Sequence, residues 1–375
     1  MKKNICIATW FYSSNCGTCL QAKALYEAVD KKYNAKMLSY KRALSIFDFN
    51  DLSIIKNKII KKLKKINNKK NNELIISSER SRRINKFINQ SFDFVDIPMR
   101  KEKIKLEEEM DCFIVGSDQL WNPFWYDERY YIDFVKDNNK KKSYATSIGI
   151  SSIPSKMKKK MKKKLQSFSN ITVRENIAKQ LLEQLLDRKD IRVVSDPTFL
   201  LNSDEWRHIY KKNSDIEIKN NYLLCYFVGG ISTHFEKIKK FAKNEKLKIV
   251  IIPMQKDDYN FSNIEIVEVA EAGPYEFLSL IDNAQFICTD SFHALTISLS
   301  FNKHFSVFER HKTKHGLSQS SRIEELLERY ELKEAHNNLN SSFWENIDYE
   351  KINGKMFKER ESSLEVLYNM IEDND

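Results

Sequence analysis

Glycine is scarce in this chain, eight residues in 375, and no GxGxxG or GxxxxGK[ST] loop is present. Such loops need glycine so that backbone N–H groups can close around a phosphate. No dinucleotide cofactor is therefore expected. Long apolar runs are also missing: none approaches the ~18 consecutive residues of a membrane-spanning helix. The apolar run behind Met1-Lys2-Lys3 is too short for a signal peptide, so a cytoplasmic protein is expected. Six cysteines occur, Cys6, Cys16, Cys19, Cys112, Cys225 and Cys288, several in strand-like runs where a reduced thiol packs as a small hydrophobe. Cys16-Gly17-Thr18-Cys19 has redox spacing. The chain is far longer than a thioredoxin-like domain, however, and without a second CxxC or an HxxxH pair no metal site is expected.

Basic residues, by contrast, are abundant. The 63 lysines and arginines exceed the 52 acids by 11. Much of the excess sits in two lysine runs, Lys56 to Lys70 and Lys156 to Lys164. Nucleic acid or anionic lipid would be attracted by such charge. A solvated helix face explains the runs without a nucleic-acid motif, so no nucleic-acid partner is expected. Beside the first run, Ile54, Ile55, Ile59, Ile60, Leu63 and Ile66 form an apolar stripe. That stripe would let the chain lie against a membrane surface if its ligand were lipid-linked.

At 41% hydrophobic residues, a chain of this length can bury two ordinary cores. Short apolar runs alternate with amphipathic segments throughout. Expected strands are Asn4–Thr9, Ala35–Tyr40, Cys112–Val115, Lys142–Ala145, Asn170–Val173 and Ile191–Val194. Further strands are expected at Tyr222–Phe227, Lys248–Ile252, Ile264–Val267, Phe286–Thr289 and His304–Phe308. Alternation of this kind predicts an α/β fold of parallel sheets covered by helices. Asp196-Pro197, after a strand, marks the expected break between a first domain, 1–195, and a second, 196–340. A helical tail, 341–375, is expected to pack back on the first domain.

The stretch Thr289-Asp290-Ser291-Phe292-His293-Ala294 places an acid, a hydroxyl and an imidazole between a strand end and a helix start. Open α/β folds bind ligands at such carboxyl ends. His293, near neutrality in its unperturbed titration, is the leading candidate for chemistry, with Asp290 beside it. Arg174 follows the strand ending at Val173 and offers a guanidinium fork for phosphate or carboxylate. Ser117, Asp118, Gln119 and Asn122 occupy another carboxyl-end loop with Trp121 and Trp125 nearby. Polar groups beside aromatic rings suit a sugar, although a capped helix start over core tryptophans reads equally well. Asn15, Gly17 and Gln21 sit at the first strand-helix turn, where Gly17 suits a close approach. Asp196 either orients a cleft residue or caps the linker.

Seven pieces resemble, in order, the polysaccharide pyruvyl transferase family. They are Asn15 to Gln21, Gly116 to Pro123, Ser143 to Gly149, Val173-Arg174-Glu175, Asp196 to Leu201, Thr289 to Ala294, and Ser321-Arg322-Ile323 with Leu326-Leu327. The resemblance spans about residues 5 to 335. It implies two Rossmann-like domains facing a cleft, the glycosyltransferase B type. It also implies transfer of a pyruvyl group from phosphoenolpyruvate to a saccharide. Arg174, Ser291 and Arg322 would then face the donor, and Asn15, Gly17, Gln21, Ser117, Asp118, Gln119 and Asn122 the acceptor. Many family members carry arginine where this chain has Ser291, so either Lys303, Arg310 or Arg322 supplies the missing charge or this chain handles the donor differently. A glycosyltransferase using a nucleotide sugar is the alternative that shares this fold. A metal-dependent DxD enzyme is disfavoured, since Asp257-Asp258 is adjacent rather than spaced.

Overall fold

A computed structural model describes residues 2–40, 77–97, 102–219, 221–310 and 321–373. The lysine run 56–70 and its apolar stripe lie outside the described residues. Continuous apolar runs such as Ile5-Cys6-Ile7-Ala8 and Cys112-Phe113-Ile114-Val115 suit strands covered on both faces, and these two are fully buried.

The first sheet comprises β1 (Asn4–Ala8), β2 (Asn34–Ser39), β3 (Phe94–Asp96), β4 (Cys112–Val115), β5 (Lys141–Thr146), β6 (Asn170–Val173) and β7 (Arg192–Val193). The second comprises β8 (Tyr222–Tyr226), β9 (Lys248–Ile251), β10 (Val267–Val269), β11 (Phe286–Thr289) and β12 (His304–Val307). Their orders are β3-β2-β1-β4-β5-β6-β7 and β10-β9-β8-β11-β12. Neighbouring strands pair in parallel, as in β1 with β4 and β8 with β11. Both sheets therefore reverse direction beside their first strand, leaving a crevice between β1 and β4 and another between β8 and β11.

Two strand expectations change. β3 carries no sequence signal, being a three-residue edge strand that begins with the exposed Phe94. The strand expected at Ile264–Val267 starts at Val267, because residues Lys256–Phe261 form a 3-10 turn and Ile264 accepts no ladder position in the sheet.

Two helices bind both halves. In Ser78–Ser91, Arg80 donates to Ser14 O at 2.9 Å and to Pro253 O, and Arg83 donates to Glu271 O at 2.8 Å. The last helix, Tyr349–Glu372, donates from Tyr368 OH to Ala28 O at 3.1 Å and accepts from Ser195 N at Ser363 Oγ at 3.0 Å. Its other end holds the second half, with Tyr349 OH donating to Lys303 O at 2.8 Å. The run Lys156–Lys164 lies on helix Ser155–Leu165, which buries Met161 and Leu165 and turns most lysines to solvent. Among the described residues no helix is long and apolar enough to cross a membrane.

Candidate active site

The first crevice is closed mainly by neutral groups, with one carboxylate, Asp118, accepting from Thr18 Oγ1 at 3.2 Å. Asn15 caps helix Cys16–Asp30: its Oδ1 accepts from Gly17 N at 3.0 Å and from Tyr226 OH, across the cleft, at 3.0 Å. Gln21 is fully buried. Its Nε2 donates to Trp10 O at 2.9 Å and Thr18 O at 3.0 Å, and its Oε1 accepts from Ser117 N at 3.2 Å. Gln21 thus ties the loop after β1 to the loop after β4. Ser117 Oγ donates to Ala145 O at 3.0 Å, and Asn122 Oδ1 accepts from Phe124 N at 3.0 Å. These four side chains are engaged by protein groups rather than presented to the cleft.

The second crevice is closed by charge. Asp290 accepts from Val228 N at 2.6 Å, Gly229 N at 2.8 Å and Arg310 Nε at 3.1 Å. It joins the loops after β8 and β11. Ser291 caps helix Phe292–Ser300, its hydroxyl accepting from Ala294 N at 3.4 Å. The carboxylate that faces His293 is therefore not its neighbour in sequence. It is Asp196, whose Oδ2 lies 3.7 Å from His293 Nε2, an ion-pair distance too long for a hydrogen bond. Asp196 also caps the turn Pro197–Phe199 by accepting from Thr198 N at 3.0 Å.

His293 crosses to the first half. A Cβ on Gly17 would stand 2.4 Å from His293 Cβ and 2.6 Å from Nδ1. Glycine is required there by this approach rather than by backbone conformation. His293 is buried, and its Nε2 has no hydrogen-bond partner.

Arg174 is encircled by acid. It donates to Asp196 Oδ2 at 2.6 Å and Asp118 Oδ1 at 3.4 Å, and its Nε lies 3.5 Å from Glu175 Oε2. Burial opposes its charge, yet Asp196, Asp118 and Glu175 together hold its pKa above the usual arginine value. Burial likewise opposes ionisation of Asp118, but Arg174, His293 and Arg322 outweigh it and keep that pKa low. The same contest leaves Asp196 well below the carboxylate range, chiefly through His293 and Arg174.

Arg322 is the contrasting cation. Among the described residues no carboxylate lies within ion-pair distance of it. Its guanidinium sits 5.5 Å from the Phe292 ring centre and 2.6 Å from the end of the Gln119 amide, which accepts there when its oxygen faces the arginine. Burial, reinforced by repulsion from Arg174, lowers its pKa to about 10. Of the other cations considered for the Ser291 position, Arg310 is held by Asp290. Lys303 precedes β12, at the amino end of the sheet, and donates to Asp282 O at 2.8 Å. Arg174, Glu175, Asp196, Phe292 and Arg322 line a narrow pocket together with Glu325 and Arg329.

Trp121 is core, fully buried against Tyr131 and Phe168, whereas Trp125 is half-exposed beside Trp10. Cys16 and Cys19 are buried, which raises their pKa values to about 11 and about 12 and disfavours the thiolate. Sequence reasoning missed the Asp196–His293 contact and the two free atoms of Arg174 and Glu175. Their partners are distant along the chain, and only adjacency of the carboxyl ends of strands hinted at them.

Two Rossmann-like domains whose carboxyl-end loops meet across a cleft make this a protein of the glycosyltransferase B fold. The UDP-N-acetylglucosamine 2-epimerase of Rickettsia bellii is similar over 100% of this chain and 97% of its own, at 9% identity and TM-score 0.51. The UDP-GlcNAc 2-epimerase of Neisseria meningitidis, bound to UDP-GlcNAc, aligns over 89% and 93%, at 11% identity and TM-score 0.47. A heptosyltransferase of E. coli with ADP aligns over 88% and 99%, at 8% identity and TM-score 0.41. At these identities the likeness concerns the fold alone. No curated protein matches the chain. The chain belongs to the polysaccharide pyruvyl transferase family, whose model matches residues 15–312.

Proposed function

We propose that this chain transfers the pyruvyl group of phosphoenolpyruvate to hydroxyls of a saccharide, forming a ketal. The observation that carries the reading is Arg322, a cation with no carboxylate within ion-pair distance among the described residues, repelled by Arg174 and lining the pocket that Arg174 and Asp196 also line. A bound anion would relieve that repulsion, so an anionic donor gains more at Arg322 than at the neutralised Arg174. Phosphoenolpyruvate carries two anionic groups, and the first turn of helix Phe292–Ser300 adds backbone amides for one of them.

His293 Nε2 delivers a proton to the methylene carbon of the enol. Asp196, at 3.7 Å, steadies the imidazolium beforehand and the developing positive charge afterwards. A saccharide hydroxyl adds to the electron-poor carbon, phosphate leaves with its electron pair, and a second hydroxyl closes the ketal. A soluble or a lipid-linked saccharide fits this chemistry.

The test is thermal melting with phosphoenolpyruvate and with a panel of UDP-sugars. Stabilisation by phosphoenolpyruvate alone, retained in His293→Gln while turnover is lost, supports the reading. Stabilisation by a UDP-sugar alone contradicts it and assigns a glycosyltransferase.

A further inference from the structure

Arg174 and Glu175 are 6% and 2% exposed, and each leaves one buried polar atom, Nε and Oε2, without a hydrogen-bond partner. The two atoms lie 3.5 Å apart but are not bonded to each other. Each unmade bond costs about 1–3 kcal/mol, and neither side chain can turn to relieve it. The rest of Arg174 is held by Asp196 and Asp118. Glu175 Oε1 accepts from Ser147 Oγ at 2.6 Å, Ile148 N at 3.2 Å and Gly149 N at 3.4 Å.

A group that satisfies both atoms must accept from an N–H and donate to a carboxylate. Fully ionised phosphate and carboxylate only accept and ammonium only donates, whereas a hydroxyl, of an alcohol or of water, does both. Both residues line the pocket described above, and the two atoms lie just beneath its surface, so a ligand reaches them only by displacing the side chains that cover them. We propose that Arg174 Nε and Glu175 Oε2 seat a saccharide hydroxyl, and that Glu175 Oε2 takes its proton. The catalytic half of this proposal rests on the pyruvyl-transfer reading; the seat does not.

The placement suits the reaction. One guanidinium carries the seat at its Nε end and, at its other end, Asp196, which faces His293. As the hydroxyl oxygen bonds to the central carbon of the enol, its proton passes to Glu175. The π electrons of the enol take the proton of His293 and make a methyl group. Breaking of the carbon–oxygen bond then releases phosphate with the bonding pair, a second saccharide hydroxyl adds to the cation left behind and gives its proton to phosphate, and the proton on Glu175 returns to His293 through water.

The test is a crystal structure of the full chain soaked in glycerol, a simple polyol probe. A glycerol oxygen within hydrogen-bond distance of both Arg174 Nε and Glu175 Oε2 is expected. A direct Arg174–Glu175 bond, or water with glycerol excluded, overturns the seat. Glu175→Gln offers the seat two donors and no acceptor while its amide oxygen still serves the Ser147 loop. It should melt within a few degrees of wild type and lose glycerol occupancy at least tenfold. It should also keep the thermal shift with phosphoenolpyruvate but release phosphate at least 100-fold more slowly with glycerol as acceptor. Wild-type occupancy in that variant overturns the role of Oε2. If glycerol occupies the seat but phosphoenolpyruvate gives no shift, the donor reading fails and the seat stands.

Discussion

The crevices of the two sheets share a strand order and are closed by different sets of groups. Beside β1 and β4 the closing groups are mainly amides and hydroxyls, with Gln21 spanning the loops and a single carboxylate, Asp118, accepting from Thr18 Oγ1. Beside β8 and β11 the closing group is a carboxylate, Asp290, fixed by two backbone amides and Arg310. The imidazole comes from the second half, but it rests on Gly17 of the first and faces Asp196 between the sheets. Neither half contains the site alone. The two arginines differ as well, since Arg174 is paired with three acids and Arg322 has no carboxylate within ion-pair distance among the described residues.

Arg174→Leu breaks the contrast most severely. It strands Asp118, Glu175 and Asp196 in a buried setting and should lower stability by about 3–5 kcal/mol in denaturant unfolding. Next comes Gly17→Ala. Its Cβ must displace His293 or part the two halves, which should lower stability by about 1–3 kcal/mol. Turnover should fall on the order of 100-fold, since small displacements of a reacting group have effects of that size. Asp290→Asn keeps one acceptor but loses its partnership with Arg310 and one backbone amide. It should cost about 1–2 kcal/mol while leaving the thermal shift with phosphoenolpyruvate close to that of wild type.

The smallest effect concerns acid. The folded pKa values of Asp118 and Asp196 lie below the ordinary carboxylate value, so unfolding takes up protons at low pH. Their contribution to stability is complete above about pH 4 and is lost as pH falls toward the folded values. In Asp196→Asn the melting temperature should fall less steeply between about pH 4 and pH 2 than in wild type. Equal slopes would show that Asp196 is not held in its charged form by its neighbours.

Two parallel sheets were legible because β1, β4, β8 and β11 are apolar runs with helical patterns between them. β3 was not, because an edge strand of three residues with an exposed phenylalanine has neither periodicity nor an apolar run. His293 and Arg174 stood out by position at strand ends. The partner of His293 did not, since local pattern favours Asp290, three residues away, while the fold brings in Asp196 from another segment. Trp121 read equally as sugar platform or core, and its burial under Tyr131 decides for core. Gln21 has the composition of a ligand contact and the environment of a staple, a difference that only three-dimensional packing reveals.

The most direct test of the contrast is a calorimetric titration of phosphoenolpyruvate into wild type and Arg322→Gln. Wild type should bind, and the variant should melt at nearly the same temperature and bind about 10–100-fold more weakly, the size of one charged hydrogen bond lost. Equal affinity in the two proteins would contradict the assignment of Arg322 as the cation that receives the donor.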